Sequence, residues 1–229
     1  MCFNVEQHGF AVVPDVVDAA TRRELISTIG PCDGAGLRGL LALPAVASLA
    51  RSSAVLELVR PHLSSEPFPV RAIFFDKSPD ANWFVTWHQD LTIAVRDRVD
   101  IAGYGPWSIK EGVSHVRPPV EVLEQMLAVR IHLDAADGNN GALRVLPASH
   151  TVGRLCDEQI QKTRERIAEV TCVVEAGGAM LMRPLLLHAS GRSAQARHRR
   201  VLHIEYAACQ LPPELAWKEE ACSADSILP

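Results

Sequence analysis

The chain has 229 residues, 48% of them hydrophobic, which is enough to bury one substantial core. A formal charge of −4, from 27 acidic residues against 23 Lys and Arg, argues against the basic footprint that general nucleic-acid binding needs. No stretch approaches the roughly 18–20 apolar residues that cross a bilayer, so neither a nucleic acid nor a membrane is expected as partner.

Met1–Phe10 lacks the basic and apolar parts of a signal peptide, and the C-terminal Ile227-Leu228-Pro229 is not a peroxisomal address. The six cysteines (Cys2, Cys32, Cys156, Cys172, Cys209, Cys222) are scattered, without a C-x-x-C pair. Reduced thiols in a cytoplasmic protein are the expectation.

Taken in order, Gly9–Val17 reads as a strand interrupted by Pro14. Asp18 then offers a carboxylate to the free amides of a helix running to Ile29, which Gly30-Pro31 ends. Gly34-Ala35-Gly36-Leu37-Arg38-Gly39 satisfies G-x-G-x-x-G literally, but Pro31 precedes it and Pro44 interrupts the segment after it. A dinucleotide site needs a strand before and an unbroken helix after, so this is a flexible loop. A second helical portion is expected over Ala45–Arg60, broken near Ser52-Ser53.

From Val70 the periodicity turns strand-like, with helices only near Val120–Met126 and Asp157–Ala168. Asn82–Ile93, rich in aromatic and β-branched residues, predicts a strand. Residues 95–118 lack periodicity and contain Tyr104, Trp107, Lys110 and His115. Such a stretch is either a lid carrying substrate contacts or a loop packed on the core. Asn139-Asn140-Gly141 predicts a hairpin turn, and Arg183–His188 a buried strand ending at its histidine. The last strand, Arg200–Ala207, is opened by Arg199. No repeat or linker divides the chain. The expectation is a single domain over 1–229, with a helical flank (1–68), a β core (69–208) and a tail (209–229). Short strands with helices gathered at one end fit a mainly β, double-stranded β-helix (jelly-roll, cupin-like) barrel.

The residues that carry chemistry are His88, Asp90 and His188. Side chains alternate along an extended strand, so His88 and Asp90, two apart, share one side. A histidine from a distant strand completes two imidazoles and a carboxylate, the facial set that holds non-haem Fe(II) with positions open. Arg199 lies eleven residues beyond His188, and its guanidinium can grip a carboxylate in a bidentate fork.

Four stretches resemble the phytanoyl-CoA dioxygenase family of Fe(II)/2-oxoglutarate oxygenases. They are Phe75–Pro79 (FDKSP), Trp87–Ile93 (WHQDLTI), Asn139–His150 (NNGALRVLPASH) and His188–Arg200 (HASGRSAQARHRR). The resemblance implies that His88, Asp90 and His188 bind iron and that Arg199 holds the distal carboxylate of 2-oxoglutarate, with Ser190 hydrogen-bonded to it. It implies O2 as co-reactant, a small-molecule substrate, and succinate and CO2 as products. Related halogenases lack the carboxylate ligand, so Asp90 points to hydroxylation over halogenation, with desaturation and ring formation left open as reactions of the same oxidant. Two departures stand out. Ala148 replaces the glycine of the usual Pro-Gly-Ser-His loop, and Arg130 stands where the best-known member of the family carries Trp, a second cation for 2-oxoglutarate or substrate.

Alternation along Leu127–Asp134 and Arg199–Tyr206 separates Arg130, His132, His203 and Glu205 from an apolar face; the resemblance turns the polar face inward. Lone inward histidines are more often structural, the expectation for His132 and His203. Lys77 reads either as a substrate contact or as a solvated strand end. Two other readings remain open: a cupin-type hydrolase or isomerase using Zn or Mn, which has no need of Arg199, and a barrel that binds a metabolite without turnover.

Overall fold

The structure is a computed structural model that describes residues 3–32, 34, 36–194 and 197–219. Cys2, Cys222, Ala35 of the glycine loop and residues 220–229 of the expected tail lie outside the described residues.

The N-terminal part forms α1 (Val5–His8), β1 (Phe10–Val13), α2 (Ala19–Ile29), β2 (Leu37–Arg38), α3 (Pro44–Ala50) and α4 (Ser53–Val59). Asp18 caps α2 by accepting from the Thr21 amide, and Arg51-Ser52 separate α3 from α4, both as expected. Next come β3 (Phe68–Lys77), β4 (Val85–His88), β5 (Ile93–Val95), β6 (Trp107–Lys110) and β7 (Val113–Val116). The chain finishes with α5 (Val120–Glu124), β8 (Met126–His132), β9 (Leu143–Val145), α6 (Asp157–Arg166), β10 (Val170–Thr171), β11 (Ala179–Met182), β12 (His188–Ser190) and β13 (Arg199–Ala207).

The strands build a six-stranded sheet ordered β1-β11-β8-β13-β3-β2, a four-stranded sheet ordered β10-β9-β12-β4, and a small sheet β5-β7-β6. The first two face one another as a jelly-roll sandwich whose edges stay open. Phe10, Ala128 and Met180 of the larger sheet meet Leu143 and Val145 of the smaller in one buried cluster between them.

Alternation sorts the faces as the pattern implies. Val129, Ile131, Leu202, Ile204 and Tyr206 point outward from β8 and β13 and pack against Leu25, Val46, Ala50, Val55 and Val59 of α2–α4. Each such aliphatic side chain, once buried, stabilises by about 1.5–3 kcal/mol. The Tyr206 hydroxyl donates to the Ala50 carbonyl (2.8 Å), pinning the helices to the sheet. The opposite face carries Arg130, Arg199, His203 and Glu205 into a cavity between the sheets.

Three local expectations need correction. Asn139-Asn140-Gly141 does not close a hairpin: β8 pairs with β11 and β13, whereas β9 pairs with β10 and β12. The turn carries the chain from one sheet to the other, and Asn140 holds it through the Asp137 amide and the Ala135 carbonyl (2.8 Å each). Arg183–Leu187 is a turn, not a strand, because the Leu186 amide bonds back to the Arg183 carbonyl; His188 opens β12 instead of ending it. Residues 95–118 are not aperiodic, since β6 and β7 form a hairpin through Glu111-Gly112, both at positive φ (52° and 76°). Two residues of that hand match the twist of paired strands.

Ala148 occupies the left-handed region at φ 65°, at the position where the resembling loops carry glycine. An L-residue there costs roughly 1–2 kcal/mol, partly offset by the ~0.5–1 kcal/mol that glycine loses in conformational freedom. Ala148→Gly is therefore expected to stabilise the fold by about 0.5–1 kcal/mol in urea unfolding. Unchanged or lower stability would show that the loop is not strained.

Candidate metal and cosubstrate site

His88 ends β4 and His188 begins β12, and the two are direct partners in the antiparallel register. Their rings lie 4.2 Å apart between centroids. Asp90 is not on the strand. The chain leaves β4 after His88, and the Asp90 amide is held by the Pro184 carbonyl (2.9 Å), from the turn that leads into His188. One hydrogen bond thus couples the two halves of the triad. The Asp90 carboxylate lies 3.8 Å from His88 Nε2 and 3.7 Å from His188 Nε2. Among the described residues these three form the one His/Cys/Asp/Glu cluster with metal-ligand spacing, all ligand atoms lying within 4.8 Å of one another.

Both imidazoles are oriented the same way. His88 Nδ1 meets the Thr86 carbonyl and His188 Nδ1 the Leu186 carbonyl, each at 2.9 Å. A carbonyl only accepts, so each Nδ1 carries the proton and each Nε2 presents its lone pair to the cluster. Burial pushes His188 down to about 4 against the pull of Asp90, so the ring is neutral at physiological pH. Burial raises Asp90, but His188 and His88 outweigh it and the carboxyl falls to about 2. Neutral imidazole and ionised carboxylate are the protonation states that metal ligation requires.

Trp87, by alternation along β4, and Gln89, beyond the strand's end, both face away. Trp87 lies under the guanidinium groups of Arg144 and Arg164 (5.6 and 5.7 Å), and Gln89 bridges the Gly153 and Leu185 carbonyls.

The cluster opens onto a cavity of about 190 Å³ lined from both sheets. Its closed end is cationic. Arg199 and Lys77 are register partners on β13 and β3, respectively 2% and 0% exposed. Lys77 is no solvated strand end: it donates to the Ser190 hydroxyl and the Gly191 carbonyl. Burial, then the charges of Arg199 and Arg130, lower it to about 7. Burial, then Arg130, lowers Arg199 to about 9, still charged at neutral pH. Two Arg199 nitrogens, Nε and Nη1, are buried without a hydrogen-bond partner. A buried unpaired charged donor is costly, and a carboxylate delivered there satisfies it.

Gly141 completes this end. It sits at φ 77°, and a Cβ there would lie 2.7 Å from the Gly191 carbonyl and 3.2 Å from Lys77 Nζ. Glycine lets the sheet-to-sheet turn close over the lysine.

Arg130 joins the same cavity, fully buried and lowered by that burial to about 10. It donates to His203 Nδ1 (3.0 Å), so the His203 proton sits on Nε2, facing Glu205 (3.3 Å). Arg71 closes the chain of contacts on Glu205 at 3.2 Å. His203 is thereby a satisfied structural residue. His132 is buried as well and lies outside the cavity lining.

The residues expected to contact substrate separate. Lys110 lines the mouth, together with Arg38 and Arg71, which no sequence motif singled out. Tyr104 and Trp107 do not reach the cavity; they pack against a second core around Ile93, Val95, Val116 and Trp217, where their apolar surface is covered. His115, on β7 of the hairpin itself, is 1% exposed and also outside the lining. Glu205 and Arg71 were missed, although the alternation of β13 pointed Glu205 inward with Arg199 and His203.

No curated protein sequence matches the chain. Solved structures do. AviO1 from Streptomyces viridochromogenes Tue57 is 22% identical with a TM-score of 0.64, covering 91% of this chain and 94% of its own. EctD from S. alaskensis, with 2-oxoglutarate and 5-hydroxyectoine, is 17% identical with a TM-score of 0.68, covering 89% and 73%. HygX from Streptomyces hygroscopicus, with iron bound, is 16% identical with a TM-score of 0.64, covering 89% and 83%. At these identities the likeness shows the fold. A family model described as Phytanoyl-CoA dioxygenase (PhyH) matches residues 5–201, from α1 into β13. With a match over most of its length, the chain belongs to the phytanoyl-CoA dioxygenase family.

Proposed function

We propose that the chain is a single-domain non-haem iron oxygenase that consumes 2-oxoglutarate and O2 and hydroxylates a small molecule. Membership of the family supports the class, and the observation that carries the site is the His88–Asp90–His188 cluster facing an unsatisfied, buried Arg199 across one cavity. A Zn or Mn site for hydrolysis or isomerisation without 2-oxoglutarate gives no account of that arginine. The structures of HygX with iron and of EctD with 2-oxoglutarate support the same pairing of metal and cosubstrate. No helix among the described residues is long and apolar enough to cross a membrane. Among the described residues Cys156, Cys172 and Cys209 are free thiols.

In this reading His88 Nε2, His188 Nε2 and an Asp90 oxygen hold iron, and Arg199, Ser190 and Lys77 hold the distal carboxylate of 2-oxoglutarate. Arg130 places a further positive charge near the cosubstrate. Bound iron supplies the oxidising chemistry, with succinate, CO2 and hydroxylated substrate as products. The protein's part is position, charge and exclusion of water. Hairpin β6–β7 forms one wall of the mouth and is tied to β2 by the Arg38–Glu111 ion pair, a strap consistent with the lid expected over 95–118.

Calorimetry with 2-oxoglutarate and a redox-inert divalent metal tests this reading. The metal should bind first and the cosubstrate only in its presence; a protein that ignores 2-oxoglutarate is not such an oxygenase. Lys77 adds a signature. With its pKa near 7, it is largely neutral in the free protein at about pH 8, and a carboxylate beside it restores the proton. Binding at about pH 8 is expected to take up close to one proton, read as a dependence of the heat on the buffer's ionisation enthalpy. At about pH 6 Lys77 already carries its proton and the dependence should vanish. No difference between the two would place Lys77 away from the cosubstrate.

A further inference from the structure

We propose that the substrate is a small organic anion whose carboxylate or phosphate is received at the cavity mouth by Lys110, with Arg71 and Arg38 beside it. The inference rests on the oxygenase reading and adds the substrate's chemical class to it.

Charge balance is the first argument. Six basic side chains (Arg38, Arg71, Lys77, Lys110, Arg130 and Arg199) line the cavity, against the two carboxylates of Asp90 and Glu205. A divalent metal and the 2-oxoglutarate dianion cancel, so loading the site leaves the excess of four in place. Assigning Glu111 to Arg38 removes one. Three positive charges remain uncompensated in a cavity with low-dielectric walls, where each is worth far more than in water. Something negative has to enter for the loaded site to balance.

Position is the second argument. Arg199, Lys77 and Ser190 cluster at the closed end, where the distal carboxylate of 2-oxoglutarate is assigned. Arg71 is committed to Glu205. Lys110 is the mouth cation without an acidic partner within bonding distance among the described residues; its hydrogen bond goes to Thr92 Oγ1 at a long 3.4 Å. The charges of Arg71 and Arg38 act on it, opposed by the carboxylates of Asp90 and Glu205, and all five groups line the same cavity.

Size and lining set the rest of the class. About 190 Å³ is below the roughly 300–1,000 Å³ of pockets that engulf drug-sized ligands, so cosubstrate and a large substrate do not both fit inside. Ile73, Phe75, Val85 and Leu143 supply apolar wall between the two cationic ends. A short carbon skeleton against that wall, with its charged end on Lys110, uses every part of the lining.

The test uses the whole chain loaded with nickel(II) and saturating 2-oxoglutarate, titrated separately with inorganic phosphate, acetate and choline. Phosphate or acetate is expected to bind wild type, and the stronger arm assigns phosphate ester or carboxylate. Lys110→Ala should weaken that binding by about tenfold or more, and Lys110→Glu should abolish it. The 2-oxoglutarate affinity should stay within about twofold in both variants, because Lys110 lies at the other end of the cavity. Absence of anion binding to wild type, equal binding in Lys110→Ala, or a preference for choline overturns the proposal. If wild type fails to bind 2-oxoglutarate at all, the oxygenase reading falls first and this proposal falls with it.

Discussion

His188→Ala is expected to lose iron affinity by more than about 100-fold and to abolish turnover, since even the outer partners of metal ligands are worth ~10–100-fold. His188 is 4% exposed, held by the Leu186 carbonyl, and neutral, so its Nε2 is pre-organised toward the cluster without an ordering cost. Asp90→Ala should do similar damage for a further reason: it removes the negative charge that compensates a divalent ion between two imidazoles. His88→Ala completes the series. Trp87→Ala, one residue away but facing Arg144 and Arg164 on the far side, should leave metal affinity within a few-fold of wild type. Iron titration of the four variants checks the set. A His188→Ala protein with unchanged iron affinity and turnover would remove the site from these residues altogether.

Among three neighbouring arginines, replacing Arg199 should weaken 2-oxoglutarate binding roughly 10- to 150-fold, which corresponds to the ~1.5–3 kcal/mol of a hydrogen bond to a charged group. The other two are accounted for elsewhere. Arg200 points out of the cavity into a bidentate pair with Asp134 (2.7 and 2.9 Å), and Arg197 reaches Asp137 at 3.4 Å near the surface. Arg200→Ala should therefore cost stability and leave cosubstrate affinity unchanged, and Arg197→Ala should do little to either, as exposed pairs usually do. Arg199→Lys should recover part of the affinity, because it keeps the charge and loses the fork. The measurement is 2-oxoglutarate affinity in all four variants with metal binding monitored separately. Wild-type affinity in Arg199→Ala would shift the anchor to Arg130 or Lys77, buried cations of that cavity without a carboxylate partner.

What the sequence by itself determined is whatever a residue's nearest neighbours along the chain decide. Alternation at period two separated the inward Arg130, Arg199, His203 and Glu205 from the outward Val129, Ile131, Leu202 and Ile204. Asp18 and Gly30 bounded α2 because capping is satisfied within four residues. The types and spacing of His88, Asp90, His188 and Arg199 pointed to the proposed ligand set and anchor. Tertiary structure decided everything that depends on a partner far along the chain. Asp90 leaves the strand yet stays beside His88 because the Pro184 carbonyl, from another turn, receives its amide. Asn139-Asn140-Gly141 crosses between sheets because β8 and β9 find better partners than each other, and turn chemistry alone carries no information on that choice. Tyr104 and Trp107 look like lid residues in isolation, but a second core offers their rings a dry surface. Lys77 looked equally suited to solvent. It is buried beside its register partner Arg199 because Gly141 leaves room for its ammonium and because Ser190 and the Gly191 carbonyl accept its hydrogen bonds. Burial, register and electrostatic excess are sums over residues distant in sequence, so a one-dimensional pattern can name the chemistry of a site but not which charges meet inside it.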